Sequence, residues 1–375
     1  MTIVSGEGVV ETPAGMVDVE RVRANARKVA EYAHAHGLRW RPHVKTHKSR
    51  VVARMQLDAG ASGLTVATPR EAEVMATVCD DLLLAYPPVG EGRLRRTLAV
   101  ARHIRLTVGL DSLEALDSLS RGAWDEGLQV GVMVEADVGM ARVGLPRPQA
   151  VVELARAVAD APSLRFAGLM YYGGHIKGPM SEQGSQLEAL GLRVGEFLDA
   201  LEVAGLPAPC VSGGSTPTLW RSHEVKGLTE IRAGTCIFQD RDQLSLGVCT
   251  LEDCAYTVLG TVVSTAVPGQ AVLDVGSKAL SRDPLRGEGV GFGLVQDHPE
   301  VKVVRLSEEH GVLDLSATEW RPTVGDQVAV VPNHVCVSVN LQDRLLARHP
   351  DGRLEAWPLE ARGRLPFHAS AAVAV

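Results

Sequence analysis

The sequence has no surplus of basic residues. Lysine and arginine total 38 against 45 aspartates and glutamates, a formal net charge of −7, so its charge recommends neither nucleic acid nor an anionic membrane surface as a partner. No apolar run approaches the roughly 18 residues of a membrane span. The opening MTIVSGEGVVETPAG lacks the basic start and apolar core of a signal peptide. Cys79, Cys210, Cys236, Cys249, Cys254 and Cys336 are scattered without a tight framework, the usage expected of reduced thiols in a cytoplasmic protein. Low-complexity tracts and Gly/Ser-rich linkers are absent too. What remains is a chain of 375 residues, 45% hydrophobic and 22% charged, long enough for two domains with separate cores.

One pattern repeats from about residue 17. A short apolar run ends in small or polar residues, and an amphipathic stretch follows. The runs Arg39–Thr46, Ser62–Thr68, Asp81–Pro87, Ile104–Gly109, Gln129–Asp137, Arg165–Gly173, Pro209–Ser215 and Glu230–Thr235 read as strands. Helical periodicity lies between them, as in Arg50–Ala59, Arg70–Val78, Pro148–Ala159 and Glu182–Val203. Val17–His36 reads as a leading helix with Asp18 as its N-cap. Eight such units predict an α/β fold, a (β/α)8 barrel of the TIM type. After about Asp240 the runs Ala255–Val267, Ala271–Val275, Val301–Leu306 and Gln327–Val331 are separated by Pro, Gly and Asp turns, which predicts a mostly antiparallel β domain. The expected division is a barrel over 15–240 and a β domain over 241–375.

A barrel keeps its chemistry at the C-terminal ends of its strands and a phosphate site near strands 7 and 8. Strand 1 ends in the polar cluster RPHVKTH, strand 7 in SGGSTP and strand 8 in RAGT. Gly213 and Gly214 let the backbone approach a ligand, and the groups of Ser212, Ser215 and Thr216, with Gly234 and Thr235, can surround a phosphate. The alternative is a tight turn capped by Ser215 or Thr216. Lys45 follows an apolar run into the barrel mouth, where a desolvated lysine can form a Schiff base; Lys48 reads as a solvated surface charge. His43 alternates with Lys45 and either tunes it or simply packs. Phosphate and lysine together fit a sugar-phosphate aldolase or pyridoxal phosphate.

The segments RPHVKTHK, DVGMARVG, YYGGH, SGGSTPT, EIRAGT, LDVGSKALS, SEEHG and PNHVC, in that order over residues 15 to 342, resemble the D-serine dehydratase and D-threonine aldolase family. These enzymes share the fold-type III architecture of alanine racemase. The resemblance implies pyridoxal 5'-phosphate on Lys45 and a homodimer with the site near its interface. It also implies an N-terminal strand, residues 1–14, added to the β domain. Arg142 would approach the cofactor phenolate or the substrate carboxylate. Tyr172 and the Ser212–Thr216 and Gly234–Thr235 segments would bind the phosphate, Arg232 would face the pyridine nitrogen, and Thr68 would face the cofactor.

His334 and Cys336, two apart, would share one face of a strand. Alone, the pair is better read as a buried cysteine beside a satisfied histidine. Within PNHVC it resembles the family's metal strand, and imidazole with thiolate suits Zn2+ ahead of Mn2+ or Mg2+. Glu309 and His310 would orient a ligand, or mark a surface turn. His-x-Cys, more usual in the dehydratases than in the aldolases, points to elimination from a D-3-hydroxy amino acid, D-serine first. D-threonine aldol cleavage and D-threo-3-hydroxyaspartate dehydration are the nearest rivals. An amino-acid racemase would not use the metal pair, and a non-catalytic carrier of the cofactor would need only the barrel.

Overall fold

The apolar runs do pair as parallel strands, shorter than the runs themselves. In this computed structural model, which describes residues 4–5, 8–287 and 289–364, eight strands lie in the order Arg39–Trp40, Glu230–Ile231, Val211–Gly213, Leu164–Tyr171, Val130–Ala136, Arg105–Leu110, Asp81–Leu84 and Leu64–Val66. A parallel bridge between His43 and Thr65 joins the two ends of that row, helped by Thr65 N–H donating to Pro42 O at 2.9 Å. Alternate residues explain the apolar continuity. Leu82 and Leu84 pack in the main core under the helices, while Leu83 joins Met133, Ala167, Met170 and Cys210 in a separate cluster. A strand buried on both faces has no polar side to show.

Two expected strands are cut short for local reasons. Pro42 has no N–H to offer the ladder, and the chain turns into a 3-10 helix over Val44–Thr46. Lys45 therefore stands on a turn, not on the strand. Beyond Ile231 the chain reaches Gly234 and a second 3-10 helix, Thr235–Ile237. The segment after the seventh strand is also a 3-10 helix, Leu219–Glu224, where barrel grammar leads one to expect an α-helix.

Inside the ring the polar groups at one level are tied together. Glu230, buried, accepts from Arg41 Nε at 2.9 Å and Ser212 Oγ at 2.7 Å. Arg41 continues to Asp81 at 2.9 Å, and Arg105 reaches Asp81 at 2.8 Å. Removing Glu230 takes one of two carboxylate partners from the buried Arg41 guanidinium and the acceptor from Ser212, while Asp81 stays in place. Glu230→Ala should cost about 2–3 kcal/mol in chemical denaturation; a loss below about 1 kcal/mol would show the network to be dispensable.

The second sheet is mostly antiparallel, as the turns predict. Its order is Val303–Leu306, Gly311–Asp314, Gln270–Leu273, Tyr256–Ser264, Ala14–Asp18, Arg344–Arg348 and Leu354–Pro358. Gln327–Pro332 also pairs with Tyr256–Ser264. The N-terminal strand that joins it is Ala14–Asp18, antiparallel to Tyr256–Ser264 and parallel to Arg344–Arg348. Val4–Ser5 and Gly8–Val9 instead pair with each other. Residues 1–3 and 6–7 of the expected 1–14 strand, and 365–375 of the expected β domain, lie outside the described residues. Asp18 caps the first helix, Val19–Ala35, by accepting the Arg21 N–H at 3.1 Å.

Candidate active site

A cavity of about 700 Å³ opens where the strand ends of the barrel meet the second sheet, within the size range of small-ligand sites. Lys45 lies on its wall with an exposed side chain. The 3-10 turn that presents it is held by His43, whose Nδ1 accepts the Lys45 N–H at 3.4 Å. Burial, then the charges of Lys45 and Arg232, hold the His43 ring well below its ordinary pKa, so it remains neutral. His47, buried against Gln56, is held down to about 3, mainly by burial. Lys48 is not the solvated charge its polarity suggests. Its ammonium is 2.6 Å from buried Glu71, and only 13% of its side chain is exposed.

Gly214, Ser215, Thr216, Gly234 and Thr235 also face the cavity. Gly214 has φ +77°, a region that favours glycine. A Cβ on Gly234 would stand 2.4 Å from His43 O, so this backbone can approach the Lys45 turn only without a side chain. Ser212 and Gly213 do not line the cavity. The Ser212 hydroxyl is spent between Glu230 and Arg232 Nη1, and a Cβ on Gly213 would enter the Tyr171 ring. Strand alternation sends them to opposite faces, Ser212 into the polar network inside the ring and Gly213 against Tyr171 in the main core, and neither lines the mouth. Thr68 is elsewhere too: its hydroxyl caps the helix Pro69–Met75 by accepting the Glu71 N–H at 3.2 Å.

Arg142 and Tyr172 both reach the cavity, the guanidinium 4.8 Å above the ring. Arg232 is buried and aimed by two bonds, to Ser212 Oγ at 2.9 Å and Tyr171 O at 2.7 Å. Beside it lies a group that strand reading left without a role, Glu135. Burial raises its carboxyl pKa, with Arg232 and Arg142 offsetting part of the rise.

His334 and Cys336 come together on the cavity, but not along a strand. The strand Gln327–Pro332 ends first, and His334 is the N-cap of a helix, Val335–Leu341. Asn333 makes the corner, donating to Asp283 O at 3.0 Å and Gly291 O at 2.8 Å. Asp240 fixes the first residue of the helix, accepting the Val335 N–H at 3.0 Å with one oxygen and the Gln243 N–H at 3.0 Å with the other. The bonded peptide is the one between the two candidate ligands. Asp240 Oδ2 also lies 3.3 Å from His334 Nδ1, and Asp242 Oδ2 lies 3.9 Å from it. The Cys336 sulfur is 3.2 Å from Thr46 Oγ1 and 3.6 Å from Thr235 Oγ1, so it touches the barrel one residue from Lys45.

The electrostatics of this corner call for positive charge. Burial opposes an imidazolium at His334, yet Cys336 and Asp240 outweigh it and lift the ring to about 11. Burial likewise pushes the Cys336 thiol up, and His334 more than cancels it, leaving about 7. Burial and the neighbouring Asp240 push Asp242 up to about 6. Among the described residues, buried Asp242 Oδ2 and His334 Nδ1 make no hydrogen bond, although Arg286 Nε and Asp240 Oδ2 respectively lie 3.3 Å from them. A divalent cation on His334 and Cys336 fits this donor set and supplies the missing charge. Glu309 is not part of it. It pairs with Lys278 at 2.8 Å on an exposed surface, and His310 lies in the same exposed turn. The acids around His334 are Asp240 and Asp242, whose only sequence signal is their place just past the eighth strand.

A family model, "Alanine racemase, N-terminal domain", matches residues 17–242, and "Putative serine dehydratase domain" matches residues 255–347. D-threo-3-hydroxyaspartate dehydratase of Delftia sp. (strain HT23) is 33% identical over 92% of this chain and 96% of its own. D-threonine aldolase from Filomicrobium marinum superposes with a TM-score of 0.88 at 29% identity, over 96% of this chain and 98% of that one. A D-threo-3-hydroxyaspartate dehydratase with a cysteine-to-alanine change, solved in a metal-free form, has a TM-score of 0.85 at 32% identity, covering 93% and 97%. The chain thus belongs to the alanine racemase N-terminal domain family, in the form that carries a putative serine dehydratase domain, and is a lyase of the pyridoxal-phosphate, fold-type III kind.

Proposed function

We propose that the enzyme eliminates water from a D-3-hydroxy amino acid, of which D-serine is the parent, and releases a 2-oxo acid and ammonia. One observation carries this reading: Lys45 and the His334–Cys336 pair open onto the same cavity, which the Gly214–Thr216 turn also lines. When bound there, pyridoxal phosphate draws electrons from the substrate α-carbon, and a divalent metal weakens the β-carbon–oxygen bond. Lys45 Nζ would hold the cofactor and, when free, is the amine placed to take the α-proton. Gly214, Ser215 and Thr216 receive the phosphate, and Arg142, braced on Tyr172, orients an anionic group. His334 and Cys336 would hold the metal, on the side of the cavity where the β-hydroxyl is expected. Their thiolate favours zinc, with manganese or magnesium the alternatives.

The similarity to a D-threonine aldolase supports a second reading, in which the Cα–Cβ bond breaks and glycine and an aldehyde are released. Protein supplied with pyridoxal phosphate and zinc should be incubated with D-serine, D-threonine and D-threo-3-hydroxyaspartate, and the products identified. Ammonia and a 2-oxo acid are expected. Glycine and aldehyde without 2-oxo acid would replace the dehydratase by the aldolase. The family resemblance also supports a homodimer, which light scattering would check. The six unpaired cysteines support a cytoplasmic location.

The phosphate assignment has its own test. Gly214→Asp sets a carboxylate against the expected phosphate, and like charges a few ångströms apart cost on the order of several kcal/mol. Cofactor affinity, titrated by visible absorbance, should fall at least about a hundredfold. Gly214→Asn, similar in shape but neutral, should lose much less. Equal losses would trace the effect to backbone strain and not to a phosphate.

A further inference from the structure

We propose that Arg286 binds a carboxylate on the substrate β-carbon, which makes dicarboxylic D-3-hydroxy amino acids the preferred substrates. The inference rests on the dehydratase reading above and deepens it. Five cations reach the cavity: Lys45, Arg142, Lys177, Arg232 and Arg286. Among the described residues that line it, Glu135 is the single carboxylate. Three of the five are already occupied. Lys45 is the cofactor lysine, Arg142 lies on Tyr172, and Arg232 is tied to Ser212 and Tyr171.

Arg286 differs from the others in where it stands. Its backbone N–H donates to Asp242 Oδ1 at 2.8 Å, and its Nε lies 3.3 Å from Asp242 Oδ2. That same oxygen is 3.9 Å from His334 Nδ1. The guanidinium and the candidate metal ligand thus share one carboxylate oxygen, and of the two cations left, Lys177 and Arg286, it is Arg286 that is joined to the His334 corner. One contact holds its backbone and the other the inner nitrogen of its guanidinium, while its side chain is 43% exposed and reaches the cavity wall. Its terminal nitrogens make no hydrogen bond among the described residues.

The metal pair is placed to meet the hydroxyl on the substrate β-carbon, so whatever else that carbon carries lies beside it. D-Serine has only hydrogen there and D-threonine a methyl group, neither of which needs a guanidinium. A carboxylate does, and the paired donors of arginine match it in a way an ammonium cannot.

D-Aspartate and D-alanine test this without turnover. Neither has a β-hydroxyl to eliminate, and they differ by the one carboxylate. Their affinities would be read from the visible spectrum of the loaded enzyme. D-Aspartate should bind wild type about 10- to 100-fold more tightly than D-alanine. Arg286→Leu should erase that ratio, and Arg286→Lys should retain part of it. The ratio of kcat/KM for D-threo-3-hydroxyaspartate over D-serine should fall in step. Equal affinities in wild type, or a ratio that survives Arg286→Leu, would remove the carboxylate site and leave the dehydratase reading standing. A spectrum that neither ligand alters would overturn both.

Discussion

Replacing Lys45 with alanine should give a protein that no longer turns yellow with pyridoxal phosphate and has lost proton removal from the substrate, by about 10²- to 10⁴-fold for the general-base contribution alone. Borohydride reduction of wild type should attach the cofactor to one lysine, and peptide mapping should find it at Lys45. The neighbouring lysine is the natural control. Lys48 is three residues away, but its ammonium is held by buried Glu71 at 2.6 Å, and Glu71 is itself fixed by the Ala67 N–H at 2.7 Å. Among the described residues Lys45 has no such partner, and it sits on a turn at the cavity wall. A label on Lys48, or a coloured Lys45→Ala protein with normal turnover, would remove Lys45 from the mechanism.

The second large effect is expected from the metal corner. Chelation of wild type should leave the yellow colour in place and lower release of 2-oxo acid at least about a hundredfold, because polarising a poor leaving group is worth several kcal/mol. Zinc should restore the chelated enzyme. Cys336→Ala should behave like the chelated enzyme and resist rescue. Its colour should persist because Lys45 and the Gly214–Thr216 turn belong to the barrel, although the Cys336 sulfur does touch Thr46 and Thr235. Cys336→Asp should shift the preference towards manganese or magnesium and raise aldol cleavage relative to elimination. Its carboxylate would stand in the first turn of the helix Val335–Leu341, where a negative charge is tolerated. Normal D-serine dehydration by both chelated enzyme and Cys336→Ala would leave a metal-free lyase or a racemase as the better account.

How a side chain is presented was harder to read than which one is presented. The PNHVC segment suggested a strand with two ligands on one face. The structure instead puts His334 at a helix cap, because Asn333 turns the corner and Asp240, 95 residues earlier, holds the Val335 N–H. RPHVKTH suggested a strand through Lys45, whereas Pro42 ends the ladder and His43 holds a 3-10 turn. SGGST was one motif in sequence and is two in space. Gly214, Ser215 and Thr216 line the cavity, while Ser212 belongs to the Glu230–Arg232 network within the ring.

The sequence by itself determined the alternation of strands and helices, the switch to antiparallel grammar near Asp240, and which residues are chemically unusual: Lys45, the glycine-rich turn, His334 and Cys336. Those properties are local: periodicity, turn chemistry and residue type can be read a few positions at a time. Tertiary structure alone decided that Thr68 caps a helix, that Glu309 pairs at the surface, and that Asp240, Asp242 and Arg286 gather round His334. Those roles depend on contacts between residues far apart in the chain, such as Asp242 with Arg286 across 44 positions. An acid's role is set by burial and by the charge facing it, and neither is a property of its sequence neighbours.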